Sequence, residues 1–210
     1  MKLAKSKKKK ISVPAITRRP SPSSPKPRGR VLHHPPAVDD VAATTAAYYE
    51  AGHVVMAGHH GIEILDACIG ADPEAPGTGY TQWIGIDWDD VLAGDEPELV
   101  QPAREICLAG AAVTQIYAEA CSMFSDIPLI AAKDIFIVSR LFDGSSEDKL
   151  LLVEMVAAAK AILFKHWNLV QQVAGLLLPP GGSVPGEQLM RLFPKVWTDR
   201  RLEREESMEE

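Results

Sequence analysis

The sequence predicts an α+β protein that is mostly α-helical, and two observations support this prediction. Apolar residues recur at helical spacing over most of the chain between residues 41 and 192, whereas strict alternation is confined to two short runs, Ile62 to Cys68 and Tyr80 to Ile86. A turn-rich segment, residues 72–77, separates the two runs. We therefore expect one helix, then a small two-stranded segment, then a helical bundle.

The charge is distributed very unevenly along the 210 residues. The whole chain has a net charge of −6, but residues 1–38 hold eleven of its 22 Lys and Arg residues and no Asp or Glu. The same 38 residues contain seven of the 16 prolines, a composition that cannot offset the entropy lost on folding. The sequence thus predicts a disordered, basic, Pro-rich arm over residues 1–38, a folded domain over 39–195, and a charged flexible tail over 196–210.

Three functions remain open for the basic arm. It is typical of a solubilising leader, of a weak tether to nucleic-acid phosphates or to another anionic surface, and of an organelle-targeting leader. The arm has no aromatic residue, so it cannot stack on bases. A tether would bind through charge alone, and its binding would fall steeply with added salt.

The remaining composition favours a soluble, cytoplasmic protein. The longest apolar run, Leu150 to Phe164, is interrupted by Glu154 and Lys160, so we expect no transmembrane segment. Apolar residues near the N-terminus are too few for a secretory signal. The three cysteines show no CxxC spacing, which argues against a disulfide framework or a cysteine-based zinc site.

Capping residues and helical periodicity place the individual helices. Asp39 and Asp40 are suited to cap the first helix, and residues 87–96 are expected to form a solvated acidic loop. The predicted helices span residues 41–58, 97–123, 128–142, 149–178 with a bend near His166, and 186–192.

The first helix contains the sequence Tyr49-Glu50-Ala51-Gly52-His53. Two histidines four residues apart on a helix hold zinc in the H-E-x-x-H motif, and the Glu between them activates water. Here Tyr49 occupies the position of the first histidine, leaving Glu-x-x-His. That remnant alone is common by chance, so its surroundings decide how it is interpreted.

Five segments in the same order resemble the peptidase domain of the FtsH-type ATP-dependent proteases, which are zinc endopeptidases. The resemblance extends over about residues 40–192, and the five segments are Ala47 to Val55, Gly79 to Trp83, Leu108 to Thr114, Lys133 to Ile135, and His166 to Ala174. The resemblance implies an HExxH-type helix, a zinc cofactor and a protein or peptide ligand.

Carried over residue by residue, the resemblance makes Glu50 the catalytic base and His53 and Asp134 zinc ligands, with Tyr49 at the position of the lost ligand. Ala111 and Thr114 also depart from the family's pattern, as does the segment Pro128 to Ala132. A third ligand could come from Tyr49 itself, or from His59 or His60 if the helix ended at Gly58 and the chain folded back.

The sequence thus leaves three functional hypotheses. The first is a stand-alone peptidase-like protein with weakened or lost catalysis that acts in binding or regulation, and the second is an active zinc endopeptidase with a rebuilt ligand set. The third makes the basic arm the functional part. The chain lacks the phosphate-binding G-x-x-x-x-G-K-[ST] motif, so it offers no ATP site and an energy-dependent role would need a separate ATPase partner.

Overall fold

The computed structural model describes residues 41–70, 78–121, 132–142, 146–178 and 183–209. The predicted arm, the Asp39/Asp40 cap, the turn at 72–77 and residues 128–131 lie outside the described residues. The elements in chain order are α1 (Val41–His59), β1 (Glu63–Ile69), β2 (Gly79–Ile84), α2 (Trp88–Ala93), α3 (Pro97–Cys121), α4 (Ala132–Leu141), α5 (Ser146–Lys165), α6 (Trp167–Leu177), β3 (Ser183–Pro185), α7 (Gly186–Met190) and α8 (Lys195–Glu209). The fold is α+β and mostly α, as predicted.

Helix α1 runs through the larger hydrophobic core and is buried on almost every face. It packs against α3, α6 and the sheet. Its many Ala and Gly residues allow this close packing, because a Cβ atom at Gly52 would lie only 2.7 Å from the Ala109 carbonyl oxygen of α3. A helix that is apolar around its whole circumference belongs in the interior. As a consequence, the polar side chains in the middle of α1 are buried as well.

The three described strands form an antiparallel sheet in the order β2-β1-β3. Ala67 of β1 lies opposite Thr81 of β2 on one side and Val184 of β3 on the other. Successive side chains of a strand point to opposite faces, so Gly79, Thr81 and Trp83 share the face that looks toward α1. Strand β2 is at the edge of the sheet.

A smaller hydrophobic cluster fixes α4 against α2 and α3. It consists of Val91, Leu99, Ala103, Cys107, Ile137 and Leu141. Arg104 of α3 also holds the end of α4, since its Nε donates to the Leu141 carbonyl oxygen at 3.1 Å and its guanidinium lies 4.5 Å from the centre of the Phe142 ring. This cluster positions α4 so that its first turn, which contains Asp134, lies against α1.

Several predicted boundaries are confirmed. The long C-terminal helix is interrupted at His166, which separates α5 from α6. The helix predicted over residues 97–123 begins at Pro97, as expected, and is described as far as Cys121. No helix in the part of the chain that the structure describes is both long and apolar enough to cross a membrane.

The structure differs from the sequence prediction at three places. The acidic loop at 87–96 contains helix α2, whose backbone amides at Asp89 and Asp90 are capped by the Asp87 carboxylate and which buries Val91. Strand β3 adds a third strand to the predicted two. Residues 195–209 form helix α8, so the predicted boundary at residue 196 divides a helix whose Trp197 is buried.

We predict that Gly52→Ala destabilises the fold by about 1–3 kcal/mol, because the added methyl group must push α3 away from α1. The matched control is Gly175→Ala in α6, where nothing lies within 4 Å of the added carbon. That control should be neutral or stabilising by up to about 1 kcal/mol. Urea denaturation measures both, and equal effects would contradict the close α1–α3 contact.

Candidate functional site

The structure brings Tyr49, Glu50 and His53 of α1 into the interior beside Asp134 of α4. Their exposed fractions are 8%, 6%, 3% and 7%, respectively. Tyr49 and His53 are four residues apart and therefore lie on one face of α1, with their rings edge to face and 4.9 Å between centroids. Asp134 approaches that face from the first turn of α4.

Asp134 is the centre of the arrangement. Its Oδ2 accepts a hydrogen bond from the Tyr49 hydroxyl and lies 3.4 Å from His53 Nε2. A buried carboxylate is costly unless it is hydrogen-bonded and paired with a positive group, and here one oxygen atom has both kinds of partner. Tyr49, Asp134 and His53 therefore form a connected polar network, which we call the Tyr–Asp–His network.

The His53 ring is fixed at both nitrogen atoms. Nδ1 lies 2.7 Å from the Ile106 carbonyl oxygen, which can only accept, so Nδ1 carries a proton and donates it. Burial lowers the pKa of His53, but the hydrogen bond and charge of Asp134, the charge of Glu50 and the Ile106 carbonyl together raise it to about 9. A proton on Nε2 therefore faces Asp134 at neutral pH.

Glu50 is held separately, against strand β2. Its Oε2 accepts the Thr81 hydroxyl at 2.8 Å. Gly79, two residues earlier on the same face of β2, makes room for this side chain, because a Cβ atom there would lie 2.7 Å from Glu50 Cγ. Trp83 continues this face, with its ring 6.4 Å from that of His53.

The space for the Tyr49 ring is provided by α3. A Cβ atom at Gly110 would lie 2.6 Å from two carbon atoms of the ring, so only glycine fits there. The next residue in the family's pattern, Ala111, is buried, and the hydroxyl of Thr114 donates back to the Gly110 and Ala111 carbonyl oxygens. Both departures from the pattern are therefore buried residues of α3, one and four residues after Gly110.

The donor set fits zinc only in part. Two ligands of a tetrahedral zinc lie ~3.3 Å apart for bonds of ~2.0–2.1 Å, and His53 Nε2 and Asp134 Oδ2 have nearly this spacing. Tyr49 lies nearer to Asp134 than two ligands of one ion do, since the two oxygen atoms share a hydrogen bond. Among the described residues, no three His, Cys, Asp or Glu side chains are grouped so that they could hold a metal ion.

His59 and His60 do not complete the ligand set. Helix α1 continues through His59, which places His59 ~9 Å along the axis from His53. His60 pairs with Glu105 at 2.8 Å, and His59 packs against the rings of Trp197 and His166. The alternative in which the helix ends at Gly58 and folds back toward His53 is therefore wrong.

Sequence reasoning missed Thr81, Trp83 and Gly110 as neighbours of the site. The alternation of β2 places Thr81 and Trp83 on one face, but it does not say what lies beneath that face. The basic arm and residues 128–131 of the altered segment before Asp134 lie outside the described residues.

No family model matches this chain, and no curated protein is significantly similar to it.

We predict that Tyr49→Phe costs about 1–3 kcal/mol of unfolding free energy, because it leaves a buried carboxylate without one of its donors. The matched control is Tyr80→Phe, which removes a Tyr–Asp hydrogen bond to the partly exposed Asp66. That change should cost less than about 1 kcal/mol. Denaturation at neutral pH compares the two, and an equal or smaller loss for Tyr49→Phe would contradict the network.

A pH effect is expected from His59, at the far end of α1. Burial and the nearby charges of His60, Arg200 and His166 lower the pKa of His59 to about 4, against an opposing effect of Glu105. The unfolded chain takes up a proton below a pH of about 6.5, before the folded one does. Stability should therefore fall as the pH drops from 6.5 to 4.

His59→Gln should reduce this loss: between pH 8, where both side chains are neutral, and pH 4, its free energy of unfolding should fall less than that of the native protein, whatever the lost ring contacts cost at pH 8. The measurement is the free energy of unfolding as a function of pH. An identical pH dependence for His59→Gln would show that His59 is not the titrating group.

Proposed function

We propose that this chain is a peptidase-like domain that binds an extended segment of a partner protein without hydrolysing it. The observation that supports this most strongly is the hydrogen bond from Tyr49 to Asp134. It engages the carboxylate that the resemblance to FtsH-type peptidases assigns to zinc. The proposed domain has the fold and the peptide ligand that the resemblance implies, but it does not hydrolyse that ligand.

The chemistry of the network supports a site that is complete without a metal ion. Asp134 is stabilised by a hydroxyl donor and a histidine with a raised pKa, and His53 is anchored at its second nitrogen by Ile106. A buried carboxylate and imidazole with these partners have no remaining need of a cation to offset their burial. Glu50, the catalytic base implied by the resemblance, is tied to Thr81 instead.

Strand β2 is the place where an extended segment would bind. It pairs with β1 on one side, and no described strand pairs with its other side. Gln82 is exposed, and 45% of the Ile84 side chain is accessible. An open strand edge offers backbone donors and acceptors to an added strand, and the neighbouring side chains choose among sequences. The Thr81 hydroxyl of this strand bonds to Glu50, and the Trp83 ring lies near the ring of His53. A segment bound at this edge would therefore lie close to the site.

We predict that the chelator-washed protein holds no stoichiometric zinc and that Tyr49→His gains about one zinc per chain, because it removes the donor to Asp134 and adds a third ligand. Tyr49→Phe, which also removes the hydroxyl but adds no ligand, is the control and should gain none. Elemental analysis gives the zinc content. Stoichiometric zinc in the native protein would overturn the proposal.

Casein, an extended polypeptide, tests binding and hydrolysis together. The native chain and Glu50→Gln should bind it equally and leave it intact, whereas Trp83→Ala should bind it more weakly because it alters the face of β2 that meets the site. Binding is measured by fluorescence anisotropy and cleavage by gel electrophoresis. Cleavage that Glu50→Gln abolishes would contradict a non-hydrolytic role.

A second candidate function is an active zinc endopeptidase, favoured by the convergence of Tyr49, His53 and Asp134 on one point beside Glu50. In that case the Tyr49 phenolate would be the third ligand, and zinc would supply Lewis-acid activation. Glu50 would leave Thr81 to accept a proton from the attacking water. This candidate requires that the native protein holds zinc and that Tyr49→Phe loses it.

A further inference from the structure

Helix α5 carries an apolar stripe on the side that faces away from the body. The stripe consists of Leu150, Val153, Ala157, Ala161 and Phe164. Leu150, Val153 and Phe164 are 68%, 68% and 67% exposed, and both alanines are exposed as well. The intervals of three, four, four and three residues keep all five on one helical face, ~21 Å long.

The opposite face of α5 is already packed. Met155, Ala159 and Leu163 are buried, and the helix lies against α3. At 100° of rotation per residue, these three side chains lie on the side of the helix opposite to Ala157. An amphipathic surface helix carries polar residues on its outer face, whereas α5 is apolar on both faces. The exposed stripe therefore has the composition of a contact surface.

The stripe is complementary to itself. Ala157 is its midpoint, with Val153 and Ala161 four residues on either side and Leu150 and Phe164 seven residues on either side. In an antiparallel pair of helices related by a two-fold axis at Ala157, Leu150 of one helix lies level with Phe164 of the other helix. Val153 likewise lies level with the alanine four residues after Ala157 in the other helix. Alanine at the centre lets two helices approach to the short end of the usual 8–10 Å range.

We propose that this stripe packs against the same stripe of a second copy of the chain, with the two α5 helices antiparallel. A two-fold axis makes such an interface isologous, so one patch serves both sides. One helix from each copy is a small interface, so the dimer forms reversibly and depends on protein concentration.

The charges beside the stripe support the antiparallel arrangement. Glu154 and Lys165 are exposed and lie along the same border of the stripe. In the antiparallel pair, Glu154 approaches Lys165 of the partner subunit, and the two side chains lean toward each other because each points to its own helix N-terminus. The other border has Lys160, whose charge is balanced within its own chain by Glu119 at 2.7 Å. A parallel pair would instead place Lys160 between Glu154 and Lys165 of the partner subunit, so that an attraction and a repulsion would offset each other.

Sedimentation of the full chain over a concentration series tests the interface. The native protein should form a concentration-dependent dimer. Ala157→Glu should weaken it at least about tenfold, because two carboxylates then meet at the two-fold axis. Ala158→Glu is the matched control: it makes the same change at an exposed residue of α5 outside the stripe, and it should leave the dimer intact. Circular dichroism confirms that both variants fold.

A charge exchange tests the orientation. Glu154→Lys should weaken the dimer, and adding Lys165→Glu should restore it, because the pair is then reversed rather than broken. A native protein that stays monomeric, including one that binds another protein or a membrane through this face, would overturn the proposal. So would equal dissociation by Ala157→Glu and Ala158→Glu, or a double variant that remains as weak as the single one.

Discussion

The contact between Asp134 and helix α1 is the interaction on which the rest of the site depends. Asp134 reaches Tyr49 and His53 only because α4 is fixed on α3 by the smaller hydrophobic cluster and by Arg104. In turn, α3 can approach α1 only where glycine replaces a side chain, at Gly52 for the backbone and at Gly110 for the Tyr49 ring. Packing and polar chemistry therefore constrain each other. A bulkier residue at either glycine would displace the partners of the buried carboxylate.

The polar groups of the site compensate one another within the core. A buried charged group without a partner is costly. Tyr49 reduces this cost because its hydroxyl donates a hydrogen bond to Asp134 from the face of α1 that also carries His53. His53, with its raised pKa, supplies the positive charge. Two side chains of α1 therefore stabilise the buried carboxylate of α4, one through a hydrogen bond and the other through its opposite charge.

Much of the fold was predictable from periodicity. Helix α1, the alternation of β1 and β2 and the break at His166 follow from local residue patterns. Helix α2, strand β3 and helix α8 could not be predicted this way, because each is short or charged and shows no periodic run of apolar residues; their buried side chains include Val91, Val184 and Trp197, respectively. For the site, the resemblance pointed to Glu50, His53 and Asp134. The partners of Glu50 and Tyr49 depend on how β2 and α4 meet α1, which local spacing does not encode.

The protonation state of His53 tests the Tyr–Asp–His network most directly, and ¹⁵N NMR of the native full chain measures it. The network predicts a ring protonated on both nitrogen atoms at neutral pH, losing one proton only near a pH of about 9. A ring that is already neutral at pH 7, with Nε2 bound to a metal ion or titrating near the ordinary value of about 6.5, would contradict the account.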